Sequence, residues 1–217
     1  MQSVPVFTAA AELLSLKPLK NNYYVLSLQS ETLVSQARPG HYLKIRLPDQ
    51  SWIKAVVMTC TKKNTIEVLA IHDFNVNSHP LISNTEIEWQ GLFGKTQIPH
   101  HPPGHQELIV IAENINIAAA IFFCQQWHHL KIRASLLILL GLDGKNPFPV
   151  RPSELLVQTM PEGVIASLPL LDDWGIPSRI ASAVSETGCF SGSTKALLSE
   201  YLQNAKLKNP CIITFNE

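Results

Sequence analysis

Hydrophobic positions cluster in short runs through the first hundred residues. Tyr23–Ser30, His41–Leu47, Ile53–Cys60, Thr65–His72 and Thr85–Gln90 are rich in Val, Ile, Tyr and Thr. Each reads as a strand. Turn residues separate them: Arg38-Pro39-Gly40, Pro48-Asp49, Lys63-Asn64 and Ser83-Asn84. Short strands at this spacing predict a small antiparallel barrel or sandwich. The stretch His100–His105, HHPPGH, breaks the pattern and reads as a linker. The domains expected are therefore 1–101 and 106–217.

Beyond the linker the rhythm changes. Leu108–Ala112, Ala134–Gly141, Glu162–Ser167, Ser178–Val184 and Pro210–Phe215 are near-continuous apolar runs, as in strands buried on both faces. Helices are expected over Ile115–Leu130, near Pro152–Gln158, and over Ser193–Asn204, where Leu197, Leu198 and Leu202 share one side. Strands alternating with helices predict a parallel sheet covered by helices. No internal repeat is present.

Composition narrows the function classes. The chain has 217 residues and is 46% hydrophobic, enough for real cores. Lys plus Arg equals Asp plus Glu at 17 each, so no basic surplus argues for nucleic acid or an anionic membrane. The N-terminus lacks the charged start and long apolar core of a signal peptide, and the longest apolar runs are too short to span a bilayer. Cys60, Cys124, Cys189 and Cys211 are widely spaced with no C-x-x-C pair, which reads as reduced, buried thiols in a cytoplasmic protein. His100, His101 and His105 share the linker, and His128 and His129 sit at a helix end. None has a metal-ligand pattern around it, so no metal site is expected. Trp127 reads equally as interface or core.

Candidate chemistry centres on Ile109–Cys124, IVIAENINIAAAIFFC, a strand that turns sharply into a helix. Such turns bind phosphates when glycines supply positive φ angles and close approach to backbone N–H groups. Here Glu113, Asn114 and Asn116 occupy the turn. Asparagine tolerates the left-handed region and caps helices, so the shape is expected to survive. The asparagine side chains would fill the phosphate space, and the Glu113 carboxylate would repel a diphosphate. The turn is expected to be self-capped and closed. A later loop, Ser185–Lys195, keeps Gly188, Cys189 and Gly192 before a helix that Ser191 or Ser193 would cap. It is a candidate for ligand contact at a domain cleft, with plain helix capping as the alternative.

Four landmarks in order resemble the ferredoxin–NADP reductase family, most nearly the electron-transfer subunits of dihydroorotate dehydrogenase. They are Ala37–Pro48, which is similar to the family's P-G-Q-Y/F strand entry; Glu86–Pro99, similar to the stretch ending G-P-x-G, with Phe93 in place of proline; Leu108–Phe123; and Gly175–Leu198. The resemblance implies a flavin-binding antiparallel β-barrel followed by a small Rossmann-like parallel α/β domain. It also implies a flavin strand, R-x-Y/F-S/T, which aligns with Lys54, Ala55, Val56 and Val57. Lys54 retains a charge but not the two-pronged guanidinium contact. Val56 and Val57 supply neither ring nor hydroxyl, and a register shift of two residues would present other side chains. Tyr42 either stacks on a flavin or packs in the barrel. The family's C-G-P turn and the cysteines of its [2Fe–2S] centre are missing after Pro210–Phe215, so the α/β domain reads as truncated at the C-terminus and no iron–sulfur cluster is expected.

Two readings follow. The first is a degenerate reductase fold with no cofactor and no NAD(P)H reductase activity. It would act as a binding or assembly module toward a protein partner or a second copy of itself. The alternative is a flavin-dependent electron-transfer subunit holding FAD or FMN through contacts near Tyr42, Lys54 and Val57.

Overall fold

The structure, a computed structural model, describes residues 8–61, 63–73, 83–100, 104, 107–144 and 146–216. It divides into two compact units, Met1–Ile98 and Pro99–Glu217. Of the linker histidines, His101 and His105 lie outside the described residues.

The first unit contains β1 (Thr8–Pro18), β2 (Tyr23–Gln29), α1 (Glu31–Gln36), β3 (Tyr42–Arg46), β4 (Trp52–Cys60), β5 (Thr65–Ile71) and β6 (Thr85–Phe93). The strands close into an antiparallel barrel in the order β1-β2-β5-β4-β3-β6, with β6 returning to β1. Alternation places Leu43, Ile45, Ala55, Val57 and Val68 on one face, all fully buried. Each Val, Leu or Ile side chain among them contributes about 1.5–3 kcal/mol relative to exposure.

Strand β1 was not expected, because TAAAELLSLKP is rich in helix formers. Barrel closure overrides that propensity, with Ala11 and Leu13 turned inward and the strand paired on both sides. Helix α1 is too short for a period to show, and it is fixed by the Ser30 hydroxyl accepting from Leu33 N–H.

The second unit contains β7 (Leu108–Glu113), a 3-10 turn (Asn114–Asn116), α2 (Ile117–His129), β8 (Leu136–Leu142), β9 (Arg151–Pro152), β10 (Ala166–Ser167), α3 (Pro169–Asp173), β11 (Ser178–Ser182), β12 (Phe190–Ser191), α4 (Thr194–Ala205) and β13 (Cys211–Phe215). The parallel sheet has the order β12-β11-β8-β7-β13. The chain leaves β7 toward β8 on one side and returns to β13 on the other, so the C-terminal end of β7 is a topological switch point. The crossovers through α2 and α4 run in opposite directions across the sheet. Right-handed connections therefore place the two helices on opposite faces. Ile109, Ile111, Leu137 and Leu139 pack with Leu197 and Tyr201 of α4. Trp127 is 3% exposed and stacks on Phe123, ring centroids 6.0 Å apart, which makes it core.

Two expected elements are corrected. No helix forms over Pro152–Gln158. Arg151–Pro152 pairs instead with Ala166–Ser167, and the Ser153 hydroxyl bonds the Asp172 carboxylate at 3.0 Å. The strand expected over Glu162–Ser167 shrinks to Ala166–Ser167, and the helix nearby is α3, opened by Pro169. Cys124 alone of the four cysteines is buried; Cys60, Cys189 and Cys211 are half-buried, and all four are free thiols. Among the described residues no helix is long and apolar enough to cross a membrane.

Candidate functional site

At the switch point, Asn114 takes the left-handed conformation, φ 51°, that a glycine would otherwise supply. Its side chain faces the loop after β8. Asn114 Nδ2 donates to Asp143 Oδ2 at 2.6 Å, and Asp143 N–H donates to Asn114 Oδ1 at 3.0 Å. This two-way clasp ties the end of β7 to the end of β8.

Asn116 behaves otherwise than expected. Its φ and ψ are −73° and −7°, already helical, and its side chain makes no capping bond to α2. A capping side chain needs the extended backbone of an N-cap residue to reach forward, which this residue lacks. The turn is thus held by Asn114 across strands and not by asparagine caps along its own helix.

Glu113 also acts across the sheet. Its carboxylate accepts a hydrogen bond from the Thr194 hydroxyl, at the first turn of α4. The α4 N-terminus, capped by Ser193 accepting from Ala196 N–H at 3.2 Å, favours that negative charge. The carboxylate therefore lies at the α4 terminus and not at that of α2, the helix that follows it in the chain. Gly141 makes the arrangement possible. A Cβ there would sit 2.6 Å from Thr194 Cγ2 and 3.0 Å from Glu113 Cγ. Sequence reasoning missed Gly141, Asp143 and Thr194. The LLILLGLD run carries the signal for the first two, a glycine and an acid at the end of an apolar strand.

The later loop serves the structure around it. The Gly188 carbonyl accepts from Ile165 N–H at 2.9 Å and Ala166 N–H at 2.8 Å, and Gly192 N–H donates to Ser182 O at 3.0 Å. Burial, with a smaller push from Glu186, raises the Cys189 thiol to about 11. It is therefore protonated near neutral pH and a poor nucleophile.

On the barrel, Tyr42 and Lys54 come together and Val57 does not join them. Lys54 Nζ lies 4.8 Å from the centroid of the Tyr42 ring. Tyr42 pairs with Val56 on β4 and meets Phe93 of β6, ring centroids 5.4 Å apart. Lys44 Nζ sits 5.8 Å from the Phe93 ring, which completes a row of cation, ring, ring, cation. Val57 takes the opposite face by strand alternation; its side chain is fully buried, and its N–H donates to His41 O at 3.0 Å. As a flavin strand, this one offers an amine and a neighbouring ring but no hydroxyl at Val56 or Val57. As a dinucleotide cradle, the β7 turn does not fit: two carboxylates and an asparagine clasp stand where a diphosphate needs open N–H groups. Among the described residues no three His, Cys, Asp or Glu side chains are grouped to hold a metal ion.

No family model matches the sequence, and no curated protein matches it. Solved structures do match over both units. An NADH-dependent reduced ferredoxin-NADP oxidoreductase is 13% identical with TM-score 0.65, covering 95% of this chain and 68% of its own. A ferredoxin NADP+ reductase from Neisseria gonorrhoeae, solved with bound FAD and NADP, is 10% identical with TM-score 0.65, covering 95% and 84%. A siderophore interacting protein from Acinetobacter baumannii is 12% identical with TM-score 0.59, covering 97% and 78%. At these identities the likeness concerns the fold: an antiparallel barrel and a parallel α/β unit, as the sequence suggested, arranged in the order found in ferredoxin–NADP reductases.

Proposed function

We propose that the chain is a reductase fold that has given up nicotinamide-nucleotide chemistry and serves as a binding or assembly module. The observation that supports this most is the β7 turn. Glu113 is committed to Thr194 and Asn114 to Asp143, so the switch point carries two carboxylates where a diphosphate would be received. Removing either carboxylate would also break a tie between elements, so the closure is built into the sheet. The expected behaviour is no oxidation of NADH or NADPH with ferricyanide as acceptor. Turnover with either nucleotide would overturn the reading. The partner is a protein or a second copy of the chain.

A second reading, a flavin-bearing electron-transfer subunit, draws support from the Tyr42–Lys54 pair. A ring and an ammonium group side by side on β3 and β4 suit an aromatic, phosphate-bearing ligand. Visible absorption of the purified protein separates the two. A colourless sample that takes up neither FMN nor FAD favours the module. Stoichiometric flavin bands favour the carrier, and Lys54→Ala is then expected to weaken flavin retention by about tenfold, the loss of one charge-assisted contact.

A further inference from the structure

A cavity lies in the α/β unit, at the end of the strands opposite Glu113. It forms beside the starts of β8 and β11 and the end of α2, and has a volume of about 560 Å³. That is the size of an ordinary small-molecule site. Trp127, His128, Lys131, Arg133 and Trp174 are among its lining residues, and among the described residues no carboxylate lines it. Trp174 and His128, both lining the cavity, stack on one another with centroids 6.0 Å apart and planes at 21°.

The charge balance there is one-sided. Lys131 and Arg133 are exposed and form no ion pair among the described residues. Nearby acids are already engaged. Both oxygens of Glu107 accept hydrogen bonds, from Ser135 Oγ at 2.9 Å and from the Tyr201 hydroxyl at 2.7 Å. Asp173 is held by Arg151 at 2.8 Å. Two carbonyls at the end of α2 are paired: Trp127 O accepts from Ile132 N–H and His128 O from Lys131 N–H. This helix-ending motif sets Lys131 at φ 53°, where glycine is the usual residue.

We propose that this cavity binds a small planar aromatic anion, with its ring against the stacked Trp174–His128 pair and its charge beside Lys131 and Arg133. The chemistry is a ring joined to a phosphate or a carboxylate, and it is independent of the β7 turn. Adenosine 5′-monophosphate and benzoate are the probes, titrated calorimetrically into the full chain. Saturable binding of either is expected; preference for the first marks a phosphate ligand and for the second a carboxylate. Lys131→Gly and Arg133→Gln should each weaken it by about tenfold, and Trp174→Leu should weaken it further. Lys131→Gly suits its backbone conformation, so its melting temperature should be unchanged or raised. Absence of saturable binding of both probes overturns the proposal. So does binding that survives the Lys131 and Arg133 changes, or ribose 5-phosphate binding as tightly as the nucleotide.

Discussion

Asn114 does two jobs that pull on different properties: a left-handed backbone and a clasp to Asp143. Substitution separates them. Asn114→Gly keeps the backbone and loses only the clasp, so a loss of less than about 1 kcal/mol is expected for an exposed pair of bonds. Asn114→Ala loses both and should cost about 1–2 kcal/mol more, the penalty of a Cβ in the left-handed region. Urea denaturation of both variants checks the order. Gly141→Ala should be worse than Asn114→Gly. Its Cβ meets Thr194 Cγ2 at 2.6 Å, and relieving that overlap means moving α4 or Glu113, at about 1–3 kcal/mol. Cys189, with its thiol raised to about 11, should hold only about one part in a thousand as thiolate at pH 8. Iodoacetamide should therefore modify it slowly there and faster as pH rises toward 11. Rapid modification at pH 7 would show a thiol less buried than this one.

At the scale of elements, the connection between β8 and β11 depends on one carboxylate. The Asp172 side chain is 2% exposed and accepts from the Ser153 and Ser167 hydroxyls at 3.0 and 2.9 Å and from Glu154 N–H at 3.3 Å. Arg151 stands 3.9 Å away, and buried Arg179 feels its charge. Asp172→Ala leaves those donors unanswered and should destabilise the protein by about 3 kcal/mol. Thermal melting checks it, and an unchanged melting temperature would remove this network from the stability of the fold. The same residues explain what could not be read from sequence. The stretch Pro152–Gln158 has helix-compatible composition, yet its hydrogen bonds go to an aspartate 19 residues later in the case of Ser153. Strand β1 likewise contradicts its own helix-forming residues. Both depend on partners distant in the chain, which local periodicity does not register. Legible elements were those with strong patterns: β2 to β6, β7, α2, β8 and α4 all lie within a few residues of their expected places.

For the whole molecule, the order of a barrel and a parallel α/β unit was legible because short Val-, Ile-, Tyr- and Thr-rich runs between turns give way near residue 100 to apolar runs alternating with helices. That the β7 turn carries no glycine was legible too, since Glu113, Asn114 and Asn116 stand in plain sequence. How these residues act was not. Asn114 reaches to Asp143 and Glu113 to Thr194, across 29 and 81 residues, and Asn116 contributes no cap. The proposed loss of nicotinamide-nucleotide chemistry rests on this switch point, where Glu113 is tied to Thr194 and Asn114 to Asp143. Calorimetric titration of the purified protein with NADPH, then NADH, tests it most directly. No saturable heat is expected up to about 1 mM nucleotide, a binding free energy weaker than roughly −4 kcal/mol. Saturable binding in the micromolar range would mean that the Glu113 and Asn114 ties open to admit a diphosphate, and the proposed loss of nucleotide chemistry would be wrong.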